Sequence, residues 1–154
     1  MDMNSTSSTR RQLLAAGLGL GACMLVRPAA ATPEELQAAI QAYTGGAALK
    51  TGRVNLDIAS IVDNGNTVPI TVTVDSPMTA ADHVTAIAVF NERNPQREVA
   101  KFLLGPRCGR ASVSTRIRLA TSQKLVAVAR MNDGSFWSHS VDVIVSIAAC
   151  LEEV

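Results

Sequence analysis

With 154 residues and a formal net charge of +1 at pH 7, the chain is long enough for one domain with a proper core and too short for two once a leader is removed. A nearly neutral protein has no field with which to gather nucleic acid or anionic lipid, so neither is an expected partner. No segment supplies the roughly 20 consecutive apolar residues that span a bilayer comfortably, so no membrane anchor is expected.

Residues 1–31 carry Arg10 and Arg11 in a polar start, an apolar run from Leu13 to Val26 broken by Gly17, Gly19 and Gly21, and the small residues Ala29-Ala30-Ala31 before Thr32-Pro33. That order predicts a cleaved signal peptide. Thr9-Arg10-Arg11-Gln12-Leu13-Leu14 fits the twin-arginine export signal, a route for proteins that leave the cytoplasm already folded; an ordinary secretory signal with two arginines is the plainer alternative. Leu20-Gly21-Ala22-Cys23 also has the outline of a lipid-attachment site, but Met24-Leu25-Val26 continue the apolar run beyond the cysteine. Removing 31 of 154 residues leaves a mature domain of 123, residues 32–154. The leader takes with it Arg10, Arg11, Arg27 and Asp2, which brings the formal charge to about −1. The expected location is the periplasm.

Thr32-Pro33-Glu34-Glu35 places a cap, a proline at the first helical position and a glutamate three residues after the cap. Leu36, Ala39, Ile40 and Tyr43 follow at helical spacing until Gly45-Gly46, so the mature chain is predicted to open with a short amphipathic helix. From Arg53 the period becomes two. Val54, Leu56 and Ile58 alternate with polar residues, Asp63-Asn64-Gly65-Asn66 supplies a turn, and residues 68–74 set Ile70, Val72 and Val74 against Thr71 and Thr73. Further strands are predicted at 84–90, 99–104, 111–120, 124–131 and 136–147, separated by Asn94-Pro95, Gly105-Pro106, Thr121-Ser122 and Asn132-Asp133-Gly134. About seven short strands with turn chemistry between them, and no helix after the first, predict an all-β fold. The expected architecture is an immunoglobulin-like antiparallel β-sandwich with a short N-terminal helix; a closed barrel is the alternative.

In the last strand Val141, Val143, Val145 and Ile147 share one face, and the alternation sends Cys150 to the other, away from the core. Ile144, with Phe136 and Trp137 at the strand's start, is apolar surface that a partner could cover, unless a kinked strand end buries the two aromatics.

Cys23 leaves with the signal, so Cys108 and Cys150 are the thiols of the mature chain, and in an oxidising compartment a disulfide between them is one reading. The other is a thiol near the carboxyl end free for covalent chemistry. Glu152 and Glu153 disfavour a neighbouring thiolate and are expected to raise the pKa of Cys150. No G-x-S-x-G elbow accompanies the two histidines, His83 and His139, which read as structural. A sandwich copper site packs cysteine, histidine and methionine into one loop, and only Leu151-Glu152-Glu153-Val154 follow Cys150; paired zinc-ligand spacings are absent as well. No cofactor or metal is expected. Arg107, Arg110, Arg116 and Arg118 form the one basic concentration, read as a solvated face with an acidic partner as the sharper alternative.

Gly65-Asn66-Thr67-Val68-Pro69-Ile70, Val74-Asp75-Ser76-Pro77-Met78, Val113-Ser114-Thr115-Arg116-Ile117-Arg118-Leu119-Ala120 and Asp133-Gly134-Ser135-Phe136 closely resemble the SoxY family of sulfur carriers, as does the twin-arginine start. The resemblance implies an immunoglobulin-type sandwich that pairs with a second sandwich protein, a SoxZ-like subunit. It implies that sulfur intermediates of thiosulfate or sulfide oxidation are held covalently on Cys150, while other enzymes load, oxidise and hydrolyse them and the carrier itself catalyses nothing. In the family that cysteine sits in a Gly-Gly-Cys-Gly-Gly arm; here the tail is Ala148-Ala149-Cys150-Leu151-Glu152-Glu153-Val154, bulkier and acidic. That departure leaves open a diverged structural or assembly partner that keeps the heterodimer contact without the chemistry. Cys108 has no counterpart in the family pattern, which keeps a Cys108–Cys150 disulfide in view.

Overall fold

The computed structural model describes residues 33–149. The predicted signal segment, the expected helix cap Thr32 and residues 150–154, Cys150 among them, lie outside the described residues.

Helix α1 (Pro33–Thr44) starts on proline, whose missing N–H costs nothing at that position, with Glu34 and Glu35 in the first turn where the helix dipole favours negative charge. Leu36, Ile40 and Thr44, four residues apart, form its buried side. It stops where Gly45 and Gly46 take positive φ of 64° and 81°, a turn that side chains resist, and the Gly46 amide donates to the Gln41 carbonyl at 3.0 Å.

Nine strands follow: β1 (Leu49–Lys50), β2 (Val54–Asp57), β3 (Ile61–Asn64), β4 (Val68–Val74), β5 (Val84–Asn91), β6 (Glu98–Leu103), β7 (Ala111–Ile117), β8 (Gln123–Met131) and β9 (Phe136–Ile147). They form two sheets, one ordered β1-β9-β8-β5-β6 with β3 also on β9, the other β2-β4-β7. The fold is the expected all-β sandwich with a short helix in front. The two unforeseen strands, β1 and β3, run parallel to β9.

Alternation explains the core. Val54 and Leu56 of β2, Ile70, Val72 and Val74 of β4 and Ile117 of β7 face Ile87 and Val89 of β5, Leu125 and Ala127 of β8 and Val143 of β9 across the sandwich. The larger sheet is buried on its other face as well, where Leu36 and Ile40 of α1 pack on Ala88, Phe90, Val126, Val128 and Phe136. Buried on both sides, β5 and β8 read as nearly continuous apolar runs. Tyr43 meets the rings of Phe90 and Phe136 edge-on at 5.5 and 5.9 Å.

Phe136 is therefore core beneath α1, not partner surface. Trp137 is half-buried against the inter-sheet core, with Lys50 and Arg53 over its ring at 5.5 and 5.4 Å. Of the three apolar residues singled out in β9, Ile144 alone is open, at 58% exposure, beside Ile61 of β3 at 61%.

β1 and β3 share one edge of β9, β1 beside Phe136 and Trp137, β3 beside residues 144–147. Between them the chain crosses to the other sheet as β2. In the gap this leaves along β9, His139 Nδ1 accepts the Leu56 amide at 2.9 Å, so a side chain bridges the two sheets where no strand pairing does.

Candidate functional site

The candidate thiol, Cys150, follows Ala149, so the residues that position it are those that fasten β9 past its last strand residue. β8 pairs with β9 only as far as Val143. Beyond it, the Ile144 amide donates to the Ser60 carbonyl at 2.8 Å and the Val145 amide to Ser122 Oγ at 2.9 Å. The turn after β3 then takes over. The Gly65 amide donates to the Ile147 carbonyl at 2.8 Å, the Leu119 amide to the Gly65 carbonyl at 2.8 Å, and the Ala149 amide to the Leu119 carbonyl at 3.1 Å. Ala149 is buried, at 6% exposure, although Ile147 two residues earlier is 64% exposed.

Gly65 is required here by space. A Cβ on it would lie 2.3 Å from the Leu119 carbonyl oxygen and 3.0 Å from the Ala149 nitrogen, inside the hydrogen bond that those two atoms share. Leu119 is in turn held by a buried amide cluster. Asn94 Nδ2 donates to the Arg118 carbonyl at 2.7 Å, and Asn94 Oδ1 accepts the Ala120 amide at 3.0 Å and Gln123 Nε2 at 2.8 Å. Asn91 Oδ1 accepts the Asn94 amide at 2.9 Å and Gln123 Oε1 the Arg93 amide at 2.8 Å, so these buried polar groups are all paired. This is why β7 ends at Ile117, three residues before the predicted boundary: residues 118–120 spend their backbone groups on Asn94 and Gly65.

Cys108 is exposed and unpaired, in a single 3-10 turn (Pro106–Cys108) ahead of β7. Leu119, which holds Ala149, lies past the other end of β7. A seven-residue strand at about 3.3 Å per residue spans about 20 Å, whereas disulfides need Cα atoms about 4.4–6.8 Å apart. Cys108 and the backbone that holds Ala149 thus lie before and after β7, at opposite ends of that strand.

The histidines are far apart in role and place. His83 hangs in the β4–β5 loop, its amide donating to Asn132 Oδ1 at 3.0 Å and its Nδ1 paired with the Thr79 carbonyl at 2.9 Å, while His139 holds β2. Among the described residues no three His, Cys, Asp or Glu side chains gather in the manner of a metal site. The basic concentration separates along β7: Arg107 and Arg110 lie before the strand, Arg116 and Arg118 at its far end, all exposed. Arg110 borders a shallow groove of about 500 Å³ with Arg53, Asp75 and Ser112. The Arg53 guanidinium faces Asp82 at 2.9 Å, and hydrogen bonding to that carboxylate, more than the surrounding charge of Asp75 and Asp133, pushes its pKa up.

Gly65, Asn94 and Gln123 escaped the sequence reading of the site. Gly65 was visible as turn chemistry and as the start of a stretch that resembles SoxY, not as a close backbone contact, and nothing in the spacing of the two amides hints that they are buried against residues 118–120.

By fold the chain is similar to superoxide reductase (neelaredoxin) from Ignicoccus hospitalis, at 17% identity and a TM-score of 0.54, over 75% of this chain and 94% of that one. It is similar also to superoxide reductase from Nanoarchaeum equitans, at 14% identity and a TM-score of 0.53, over 62% of this chain and the whole of the other. Identities this low carry the sandwich fold alone. No curated protein matches the chain by sequence. The profile of the sulfur oxidation protein SoxY matches residues 40–150, from the middle of α1 through Cys150. The chain belongs to the SoxY family of sulfur oxidation proteins.

Proposed function

We propose that this protein is a periplasmic sulfur carrier, exported by the twin-arginine route, which holds sulfur intermediates of thiosulfate or sulfide oxidation covalently on Cys150 and works as a heterodimer with a SoxZ-like subunit. The observation that carries the reading is the SoxY match, which extends through Cys150 itself. Two features support it. In the sequence, the parity of Val141, Val143 and Val145, extended along the chain, puts position 150 in the outward set. Cys108, the other thiol of the mature domain, is separated from the end of β9 by the length of β7.

The chemistry asked of the chain is small. Loading thiosulfate joins its outer sulfur to Sγ, forming one S–S bond; the thiol proton is released and two electrons pass to a redox enzyme that does the loading. The carrier supplies a reachable thiol and a rigid mount and leaves oxidation and hydrolysis to its clients.

The test is the intact mass of the reduced heterodimer after incubation with thiosulfate and the loading enzymes. One thiosulfate adduct on Cys150 is expected. Absence of any adduct, or the same adduct on a Cys150→Ser chain, would overturn the reading.

A second reading is favoured by one specific feature: Ala148 and Ala149 stand where the family has glycines, and Ala149 is tied into the fold. In that reading the protein is a diverged assembly partner that keeps the SoxZ-like contact and has lost the carrier chemistry. Alkylation of the folded protein separates the two, since a carrier reacts at Cys150 and an assembly partner with a shielded thiol does not.

A further inference from the structure

We propose that β7 is a docking edge: an extended acidic segment of another protein adds to it as a fourth strand of the smaller sheet, its carboxylates meeting Arg110 and Arg116. The inference does not depend on the carrier reading. β7 ends the sheet β2-β4-β7 on one side, and among the described residues its strand pairs with β4 alone. Along an antiparallel strand alternate residues turn N–H and C=O away from the neighbour, so a row of donors and acceptors faces outward.

Other edges of the fold are blunted. β1 is two residues long, β6 carries Glu98 and Lys101 and a register shift against β5, and the Leu56 amide of β2 is taken by His139 Nδ1 at 2.9 Å. β7 has none of these devices. Its seven residues, Ala111–Ile117, hold register with β4 throughout and include no proline, lysine or carboxylate. Beside it the core is incompletely covered: Val113, like Val99, Phe102 and Leu104 in and after β6, is only partly buried against the inter-sheet cluster, and Leu103 is 80% exposed.

Charge selects the occupant. Arg110 and Arg116 are exposed and make no ion pair among the described residues. They border shallow grooves at the two ends of the sheet's outer face, Arg110 beside Asp75, Thr73 and Ser112, Arg116 beside Thr71 and Ser114. A second copy of this chain is the wrong partner. Paired antiparallel about Val113, two β7 strands set Arg110 against Arg116 at both ends; paired about Ser114 they set Arg110 against Arg118, and in parallel register each arginine meets itself. A foreign strand with carboxylates about 20 Å apart, one near each end, turns these repulsions into attractions. Apolar side chains on its opposite face cover Val113, so the main chain supplies affinity and the alternating side chains supply selectivity.

The test uses the full chain and a nine-residue capped peptide with glutamate at both ends and valine and threonine alternating between. Hydrogen exchange of alternate β7 amides is expected to slow about tenfold or more at about 1 mM peptide, with the β2–β4 ladder unchanged. A peptide with lysine in place of glutamate should bind at least about tenfold more weakly, and the double variant Arg110→Glu, Arg116→Glu should reverse that preference. Two further glutamate peptides carry N-methyl groups on one or the other alternate set of residues. Strand addition requires one of them to bind like the parent peptide and the other to fail, because only one set donates to β7.

The proposal is overturned if no β7 amide is protected, if glutamate and lysine peptides bind the parent alike, or if both N-methylated peptides bind equally, which would place the contact on the sheet's face. Protection of β7 that grows with protein concentration in the absence of peptide would make a second copy the occupant and overturn it as well. Should the double arginine variant fail to fold, the N-methylated pair decides on the unaltered chain. None of these readouts involves the thiosulfate adduct, so the carrier reading stands or falls separately.

Discussion

Gly65 and Leu119 lie backbone against backbone: the Leu119 amide donates to the Gly65 carbonyl at 2.8 Å, and a methyl group on Gly65 would stand 2.3 Å from the Leu119 carbonyl oxygen. The atom in the way is main chain and cannot rotate aside. Gly65→Ala is therefore expected to destabilise the fold by about 2–3 kcal/mol, as overpacking does, and Gly65→Val by more. Urea denaturation of the variants beside the parent checks this; a midpoint for Gly65→Ala equal to the parent's would mean that residues 118–120 yield freely.

Asn94 satisfies the Arg118 carbonyl, the Ala120 amide and Gln123 together. Asn94→Ala strands these groups in a buried setting, and the expected cost is about 2–4 kcal/mol, above that of an ordinary surface change. The same variant should speed hydrogen exchange at Ala149, although no Asn94 atom bonds that residue, since Leu119 is the link. Loss of stability with unaltered exchange at Ala149 would separate the amide cluster from the fastening of β9.

Tyr43 predicts a response to alkali. Burial against Phe90 and Phe136 pushes its phenol above the ordinary 10.0, the negative charge of Glu98 adds to this and Arg130 opposes it. The folded state thus holds the proton that the unfolded chain releases, so the associated stability is complete below pH 10 and is lost as pH rises through the folded value. Its hydroxyl also has no hydrogen-bond partner among the described residues. Tyr43→Phe is expected to be neutral or stabilising by about 1 kcal/mol near pH 7, and to flatten the fall in stability between pH 10 and 12. Thermal melts across that range decide it; a Tyr43→Phe chain that falls with alkali as steeply as the parent would assign the loss to another group.

Cys108 is solvent-exposed on its 3-10 turn and bonded to no other sulfur. Cys108→Ser should leave stability within about 0.5 kcal/mol of the parent and leave the alkylation rate of Cys150 unchanged. A Cys150 that reacts markedly faster once Cys108 is gone would reveal that the two thiols communicate, against the separation that β7 imposes.

Local patterning determined much of this protein. Residues 68–74 and 136–147 alternate so regularly that both strands were predicted with the bounds they have, and the spacing of Leu36 and Ile40 named the helix face that covers the larger sheet. Each of these signals is a period carried within a few consecutive side chains, and the resemblance to SoxY rests likewise on short stretches, 65–70, 74–78, 113–120 and 133–136, with the twin-arginine start. The tertiary structure alone decided the rest. β1 and β3 are too short, at two and four residues, to carry a period, and exist because β9 offers them an edge. Phe136 became core because α1 lies over it, and Gly65, read as one residue of a turn, became the contact that ties down Ala149. Those outcomes depend on pairs far apart in the chain, 84 positions in the case of Gly65 and Ala149, whose meeting is set by how the sheets close and not by any neighbour in sequence.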